Sequence, residues 1–347
     1  MDKTEFRYYY KKLNNFFEAS LLNSGFNGGL LVAKNGAIIY ERYSGLADLR
    51  KKDSITASTP FHVASSGKPF TAMAILRMVQ ENKLSLDDSL SKFFPGLPYP
   101  GITVKMLLNH RSGLPNYVYF VPNSDWDKNK NVTNNDVLNM LYTDQPTRSY
   151  PPGRRYSYSN TNFVLLALII EKISGEKFPE YMKKNIFDPL QMRNTFVFTP
   201  SDSERATPSF NYNRSYYQND FLDETYGDKN LYTTPRDLLK FDQALYTDQF
   251  IGKPLLDSAF TPFSNETKSI HNYGLGWHLL MMPDGKTVVY HYGRWHGFNA
   301  AFARLINEKA TIIILGNKFS KNIYNAARLC YEIFGDYGMN KPNEEDE

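Results

Sequence analysis

Hydrophobic and polar positions repeat with different periods in different parts of the chain. Residues 28–45 hold two apolar runs joined at Asn35-Gly36, a pair that favours a β-hairpin because both residues tolerate positive φ. Between about 65 and 240 the spacing is helical, and residues 69–85 are apolar nearly all round, which predicts a central, buried helix. Beyond residue 270 the strand period returns, in the stretches YGLGWHLLMM, TVVYHYG, AAFARLI and TIIILGN.

Strands near both ends of the chain, with helices between them, predict an α+β fold. We expect one antiparallel sheet built from both termini and flanked by helices, with an inserted, mostly helical domain. The sheet domain is placed at residues 1–64 plus 235–347 and the helical domain at 65–234, with the active site between them. Residues 199–230 show no useful period and are expected to form a long surface loop.

Composition narrows the classes of function. The chain has 347 residues, 41% of them hydrophobic, which is enough for a sizeable core. The net charge is +4 with both signs mixed and no block rich in lysine and arginine, so nucleic acid is not predicted as a partner. No run of 18 apolar residues exists, so the sequence predicts no transmembrane segment. Oligomeric state is not visible in the sequence.

The N-terminal stretch, the single cysteine and the histidines bear on cellular location and on metal binding. The N-terminal stretch MDKTEFRYYYKKLNNFF is too polar for a signal peptide, so we expect either a cytoplasmic protein or a periplasmic or cell-envelope protein whose export signal was removed. Cys330 is the single cysteine and is predicted to pack on a helix face. His291 and His296 lie beside turn glycines, and no carboxylate–histidine helix pattern occurs, so neither a metal nor another cofactor is predicted.

The first candidate for chemistry is Ser65 with Lys68. The Ser-x-x-Lys pattern occurs at Ser65/Lys68, Ser89/Lys92 and Ser174/Lys177. Only the first pair begins a long buried helix, and Pro69 requires that helix to start at about Ser65 or Ser66. Ser65 is then a candidate nucleophile at a helix N-terminus, with Lys68 one turn on to activate it. The competing interpretation is an N-cap serine and a lysine whose head reaches water.

Two further motifs follow along the chain. Tyr158 and Asn160 immediately precede a second buried helix, where a phenol with a pKa lowered by lysine could transfer protons, and the alternative is a helix cap with a packed aromatic ring. His291 and Gly293 end a strand whose edge could bind substrate backbone and present the N–H of Arg294 to a developing oxyanion. The alternative there is a hairpin with a half-exposed histidine.

The order Ser-x-x-Lys, Tyr-x-Asn, His-x-Gly resembles the penicillin-recognising serine hydrolases, which include class C β-lactamases, D,D-peptidases and related esterases. The resemblance covers roughly residues 25–335 and includes FHVASSGKPFTAMAIL, PPGRRYSYSNTNFVLLALII and TTPRDLLKFDQAL. It implies an α/β domain packed against a mostly helical domain, with the site between them. It also implies a hydrolase that acts on a small-molecule ester, amide or peptide.

The resemblance assigns expected roles to individual residues. Ser65 would form an acyl-enzyme, Lys68 would act as base or tune Tyr158, and Tyr158 would shuttle protons to the leaving group and from water. Asn160 would contact Lys68 and the substrate's acyl amide, and the N–H groups of Ser65 and Arg294 would form the oxyanion hole. Asn116 and Tyr117 match a stretch that lines the cleft in similar proteins. Which residue is the general base stays open.

The third motif departs from the pattern of many relatives, which carry lysine where this chain has His291. A largely neutral imidazole holds a substrate carboxylate less well than an ammonium group does. We therefore expect a preference for esters, or for amides without an essential carboxylate. The rival hypotheses are a β-lactamase, a D,D-peptidase or D-amino-acid peptidase, a slowly deacylating penicillin-binding sensor, and an inactive scaffold.

Overall fold

The computed structural model describes residues 1–339. The α-helices are α1 Lys3–Ser20, α2 Lys68–Gln80, α3 Leu90–Phe93, α4 Val104–Leu108, α5 Tyr117–Phe120, α6 Asn134–Thr143, α7 Thr161–Ser174, α8 Phe178–Met182, α9 Pro235–Ala244, α10 Lys253–Ala259 and α11 Asn322–Leu329. The strands are β1 Gly28–Lys34, β2 Ala37–Ser44, β3 Leu46–Asp48, β4 Asp53–Ser54, β5 Phe61–His62, β6 Phe196–Val197, β7 Leu231–Thr233, β8 His271–Tyr273, β9 His278–Met281, β10 Thr287–Trp295, β11 Phe298–Leu305 and β12 Ala310–Gly316.

A seven-stranded antiparallel sheet in the order β2-β1-β12-β11-β10-β9-β8 forms the larger layer. It joins strands from both parts of the chain, because β1 pairs with β12. Asn35 and Gly36 both adopt positive φ in the hairpin between β1 and β2, as the sequence predicts. The predicted α+β class with one sheet from both termini is confirmed.

The two faces of this sheet bury different clusters, because successive side chains of a strand point to opposite faces. On β12, Ile312 and Ile314 pack in a cluster with residues of α1 and α11, such as Phe17 and Ala326. The alternate residues, including Ile313, face the other side of the sheet. They pack with the helices that lie, along the chain, between the N-terminal and the C-terminal strands. Strands buried on both faces therefore read as continuous apolar runs.

The helical region surrounds α2 and α7. Helix α2 is buried on nearly all sides, and α7 is followed by Gly175 with φ 73° in the left-handed region, as expected for a helix end. Both helices begin at the face of the region where the predicted site residues lie. Among residues 1–339, no helix has the length and apolar character needed to cross a membrane.

Candidate active site

Ser65 lies in a 3₁₀ turn, Ala64–Gly67, directly before α2. The expected helix start at Ser65 or Ser66 is therefore wrong by one turn, because Pro69 occupies the first turn of an α-helix that begins at Lys68. Ala64 has φ 49°, a costly conformation for a residue with a Cβ atom and one that often marks functional sites. Of residues 61–76, Ser65 alone is not buried, so this turn presents one hydroxyl to the outside.

Lys68 is completely buried beneath that hydroxyl. Its Nζ lies 3.0 Å from Ser65 Oγ, 2.7 Å from Asn160 Oδ1 and 2.9 Å from the carbonyl oxygen of Asp228. The aromatic rings of Tyr158 and Phe163 complete its surroundings, with centroids 4.9 and 5.6 Å from Nζ. The structure thus brings Ser65, Lys68 and Asn160 together as the motif order suggests.

These three contacts can be made by either protonation state of the Lys68 amine. A neutral lysine has two N–H donors and one lone pair, whereas the ammonium has three donors and no acceptor. The oxygens of Asn160 and Asp228 can only accept, so each takes one N–H donor of Lys68. The ammonium donates its third N–H to Ser65 Oγ, and the neutral amine has its lone pair left for the Ser65 hydroxyl. Burial, partly opposed by the Asp228 carboxylate and assisted by the Lys229 ammonium, lowers the pKa of Lys68 to about 7.

Tyr158 lies against the same hydroxyl but titrates in the direction opposite to the one expected. Burial raises the pKa of its phenol above the usual value, and its hydrogen bond with Ser65 offsets this only in part. The expected lowering by a lysine ammonium is therefore wrong, because loss of water outweighs any favourable charge. At neutral pH the phenol is protonated, which makes it a proton donor.

Strand β10 borders the site through its contacts with the Ser65 turn. Strand β9 pairs only with residues 287–290 of β10, so the following segment is free to pack along the Ser65 turn. Ser66 Oγ donates to the carbonyl oxygen of His291 at 2.8 Å. A Cβ atom on Gly293 would lie 2.1 Å from the carbonyl oxygen of Val63 and 2.9 Å from the Ser65 nitrogen. Glycine is needed at this position because the backbones of β10 and of the Ser65 turn are too close together for a Cβ atom.

Arg294 follows on the same strand, with an exposed side chain whose guanidinium lies 5.6 Å from the Phe319 ring centroid. It pairs in register with Asn299 of β11. The role of its N–H as second oxyanion donor stays a prediction.

The His291 side chain is buried, which corrects its placement as a direct substrate contact. Its Nε2 lies 3.3 Å from the Tyr273 hydroxyl oxygen and its Nδ1 lies 2.9 Å from the Tyr292 carbonyl oxygen. Burial, together with the neighbouring His278 and Lys68, holds the pKa of His291 well below its usual range. His291 is therefore neutral and offers no positive charge to a substrate carboxylate.

Asn116 and Tyr117 occupy different environments. Asn116 Oδ1 accepts from the Asn160 backbone N–H at 3.2 Å and so helps to fix the second motif. Tyr117 does not line the cleft: its side chain is buried, and its hydroxyl lies 2.8 Å from Asp228 Oδ2 and 2.6 Å from Lys229 Nζ. Burial raises its pKa well above the usual value.

Sequence reasoning missed Asp228 and Lys229. Both were assigned to a surface loop, yet both are buried beside Lys68, which makes the loop prediction wrong at its C-terminal end. Gly227 has φ 94° and permits this approach, because a Cβ atom there would lie 2.4 Å from the Phe163 carbonyl oxygen. The available signal was Gly-Asp-Lys one residue before the apolar strand β7, because charged residues this close to a buried strand can be drawn into the core.

Within residues 1–339 no group of three or more histidine, cysteine, aspartate or glutamate side chains is arranged to hold a metal ion. The site is thus a serine, a lysine and a tyrosine held between the start of α2, the start of α7 and one strand of the sheet.

A model of the family described as Beta-lactamase matches residues 14–329. The chain belongs to the beta-lactamase family. Within this family it is 35% identical over 336 residues to "Penicillin-binding protein 4*" of Bacillus subtilis (strain 168), covering 92% of this chain and 74% of the relative. It is 30% identical over 328 residues to "Putative penicillin-binding protein PbpX" of the same organism, covering 92% and 75%.

Solved structures share the beta-lactamase family fold with this chain. A penicillin-binding protein from Bacillus halodurans superposes with a TM-score of 0.80 at 24% identity, covering 93% of this chain and 99% of the other. A D-amino acid amidase from Ochrobactrum anthropi SV3 gives 0.75 at 23% identity, covering 93% and 98%. At these identities the likeness concerns the fold.

Proposed function

We propose that this protein is a serine hydrolase that cleaves ester or amide bonds through an acyl-enzyme on Ser65. The observation that carries the proposal is the 3.0 Å contact between the one accessible hydroxyl of its turn and the buried amine of Lys68. A lysine with a pKa of about 7 is half deprotonated at neutral pH, when it can accept the serine proton.

Each proton transferred in the acylation step is assigned to a named residue. Ser65 Oγ attacks the carbonyl carbon, and its proton passes to the neutral Lys68 amine. The protonated Tyr158 donates to the leaving group as the bond to the acyl group breaks, and the Lys68 ammonium restores the proton of Tyr158. In the second half, water attacks the acyl ester while the same groups return a proton to Ser65. The N–H groups of Ser65 and Arg294 are proposed to receive the oxyanion.

Esters, and amides without an essential carboxylate, are proposed as the favoured substrates. The support is the burial and neutrality of His291, since many relatives place a lysine charge at that motif position. The second candidate is penicillin recognition, as a β-lactamase, a D,D-peptidase or a slowly deacylating sensor. It is favoured by the 35% identity to Penicillin-binding protein 4* over 92% of the chain.

Labelling with a fluorophosphonate and with a fluorescent penicillin, in wild type and in Ser65→Ala, tests the proposal. We expect wild type to be labelled by the fluorophosphonate and Ser65→Ala to remain unlabelled. Equal labelling of both proteins would remove Ser65 from the mechanism. Comparing turnover of a short p-nitrophenyl ester with that of a chromogenic cephalosporin then separates the two candidates. Fast cephalosporin turnover without esterase activity would reject the ester preference, and a long-lived penicillin adduct in mass spectrometry would favour the sensor.

A further inference from the structure

Two adjacent charged side chains, Asp228 and Lys229, are buried next to the proposed catalytic lysine and have no part in the chemistry described above. Asp228 is 1% exposed and Lys229 is 4% exposed. Burying two charges costs several kcal/mol unless other interactions compensate, so their presence here needs an explanation. Both reach the site from the loop that leads into β7.

The pair is held by a defined set of contacts. Lys229 Nζ lies 4.0 Å from Asp228 Oδ2 and 2.6 Å from the Tyr117 hydroxyl oxygen, and it also contacts the Thr225 hydroxyl. The Tyr117 hydroxyl donates to Asp228 Oδ2 at 2.8 Å. The ring centroid of Trp295, at the end of β10, lies 4.9 Å from Lys229 Nζ. The pair is thus fixed from α5, from its own loop and from the strand that borders the site.

The connection to the chemistry is direct, because the Asp228 carbonyl oxygen accepts from Lys68 Nζ at 2.9 Å. Asp228 Oδ1 has no hydrogen-bond donor among residues 1–339, so only one carboxylate oxygen is engaged. We propose that Asp228 and Lys229 are positioning residues that act through Lys68 and set, in opposite directions, the pH at which Ser65 becomes reactive. This inference rests on the proposed function.

The electrostatics of the site agree with this geometry. The Asp228 carboxylate raises the pKa of Lys68 and the Lys229 ammonium lowers it, while burial remains the largest cause of the depressed value. Asp228 also raises the pKa of Lys229, which burial lowers. Each member of the pair therefore limits the effect of the other on Lys68.

Tyr158 and the histidines around Lys68 do not change charge in the same range. Tyr158 stays protonated because its pKa is raised. The three histidines near Lys68 stay neutral, since the pKa of His278 is lowered to about 3 and those of His110 and His291 lie well below the usual value. Lys229 is additionally faced by Asp220 and Asp223, whose charges stabilise its ammonium.

The test is the pH dependence of Ser65 acylation by a fluorophosphonate in wild type, Asp228→Asn and Lys229→Met. Loss of the carboxylate should shift the acid limb of the rate to lower pH, and loss of the ammonium should shift it to higher pH, each by about one pH unit. Lys229→Arg, which keeps the charge, should leave the limb near its wild-type position.

A second lysine–aspartate pair, in which only the carboxylate is buried, provides the control. Lys240 Nζ lies 2.7 Å from Asp237 Oδ1 on α9, and Asp237 is 1% exposed. Neither residue contacts Lys68. Asp237→Asn and Lys240→Met are therefore expected to change thermal stability without moving the acid limb. If Lys229→Met fails to fold, Lys229→Gln, which can still hydrogen-bond to Tyr117, carries the same test.

This experiment distinguishes a failure of the role proposed for Asp228 and Lys229 from a failure of the proposed function. Acid limbs that do not move, or that move in the same direction in Asp228→Asn and Lys229→Met, overturn the role of the pair while Ser65 labelling stands. Labelling that persists in Ser65→Ala overturns the proposed function instead.

Discussion

Two short segments of this protein share the Ser-x-x-Lys pattern but differ in the burial and the hydrogen-bond partners of the lysine. At Ser65 the lysine is fully buried, with its Nζ held by three oxygens. At Ser89 the serine caps the four-residue helix α3, and the Lys92 side chain is 56% exposed and paired with Asp88 at 2.8 Å. The comparison teaches that spacing brings the groups close, whereas burial changes what the lysine can do.

Replacing the two lysines in parallel should give the largest difference. Lys68→Met removes the proposed base, so kcat/KM for a short ester should fall by about 10³-fold. Lys92→Met removes one solvated ion pair, which contributes little, and activity should stay at the wild-type level. Steady-state kinetics measures both. A Lys68→Met enzyme that retains most of its activity would show that the two segments are functionally alike.

Tyr158→Phe tests the next group beside Ser65. Loss of the phenolic proton should slow ester hydrolysis by about 10²-fold, with the larger effect on substrates that have poor leaving groups. Tyr119→Phe is the matched control, because that ring is 70% exposed. The comparison of an activated phenyl ester with an alkyl ester measures the effect, and equal losses on both would contradict donation to the leaving group.

Gly293→Ala tests the close contact between β10 and the Ser65 turn. The added Cβ atom would lie 2.1 Å from the Val63 carbonyl oxygen, so the strand and the turn must separate. We expect a loss of about 1–3 kcal/mol in the free energy of unfolding. Displacement of the turn should slow labelling by on the order of 10–100-fold.

Gly252→Ala is the control for that variant, because its Cβ atom would lie 3.2 Å from the flexible end of Gln80. It should change stability by less than about 0.5 kcal/mol. Urea unfolding and the labelling rate measure both variants. Wild-type labelling by Gly293→Ala would mean that the contact does not position Ser65.

The last expected difference between Lys68 and Lys92 concerns stability and not the rate of reaction. The pKa of Lys68 is about 7 in the folded protein against 10.5 for an exposed lysine, so between these values the unfolded chain binds more protons. The stability cost is complete below pH 7 and disappears as pH rises towards 10.5. Relative to Lys68→Met, wild type should therefore gain on the order of a few kcal/mol between pH 7 and pH 9.5. Urea unfolding at both values checks this, and Lys92→Met should track wild type; parallel behaviour of Lys68→Met and wild type would contradict it.

Much of the fold is readable from sequence because it depends on local patterns. Asn35-Gly36 identifies the first hairpin, and the apolar runs after residue 270 identify the strands that complete the sheet. The order of the three motifs also identifies Ser65 and Lys68 as candidates. These signals depend on residue type and spacing alone.

The remaining parts of the site depend on contacts between distant segments. Asp228 and Lys229 look like loop charges in sequence, and only the approach of their loop to α7 buries them. The burial of His291 and the raised pKa of Tyr158 have the same origin, because both follow from what surrounds the side chain.

Burial makes Lys68 a base at neutral pH in the mechanism proposed above. A titration of its side-chain amine by NMR, assigned with Lys68→Met and compared with Lys92 in the same protein, tests this directly. We expect a midpoint for Lys68 close to pH 7, well separated from those of the exposed lysines. A midpoint near 10.5 would show that the amine stays charged beside Ser65 and would contradict this mechanism.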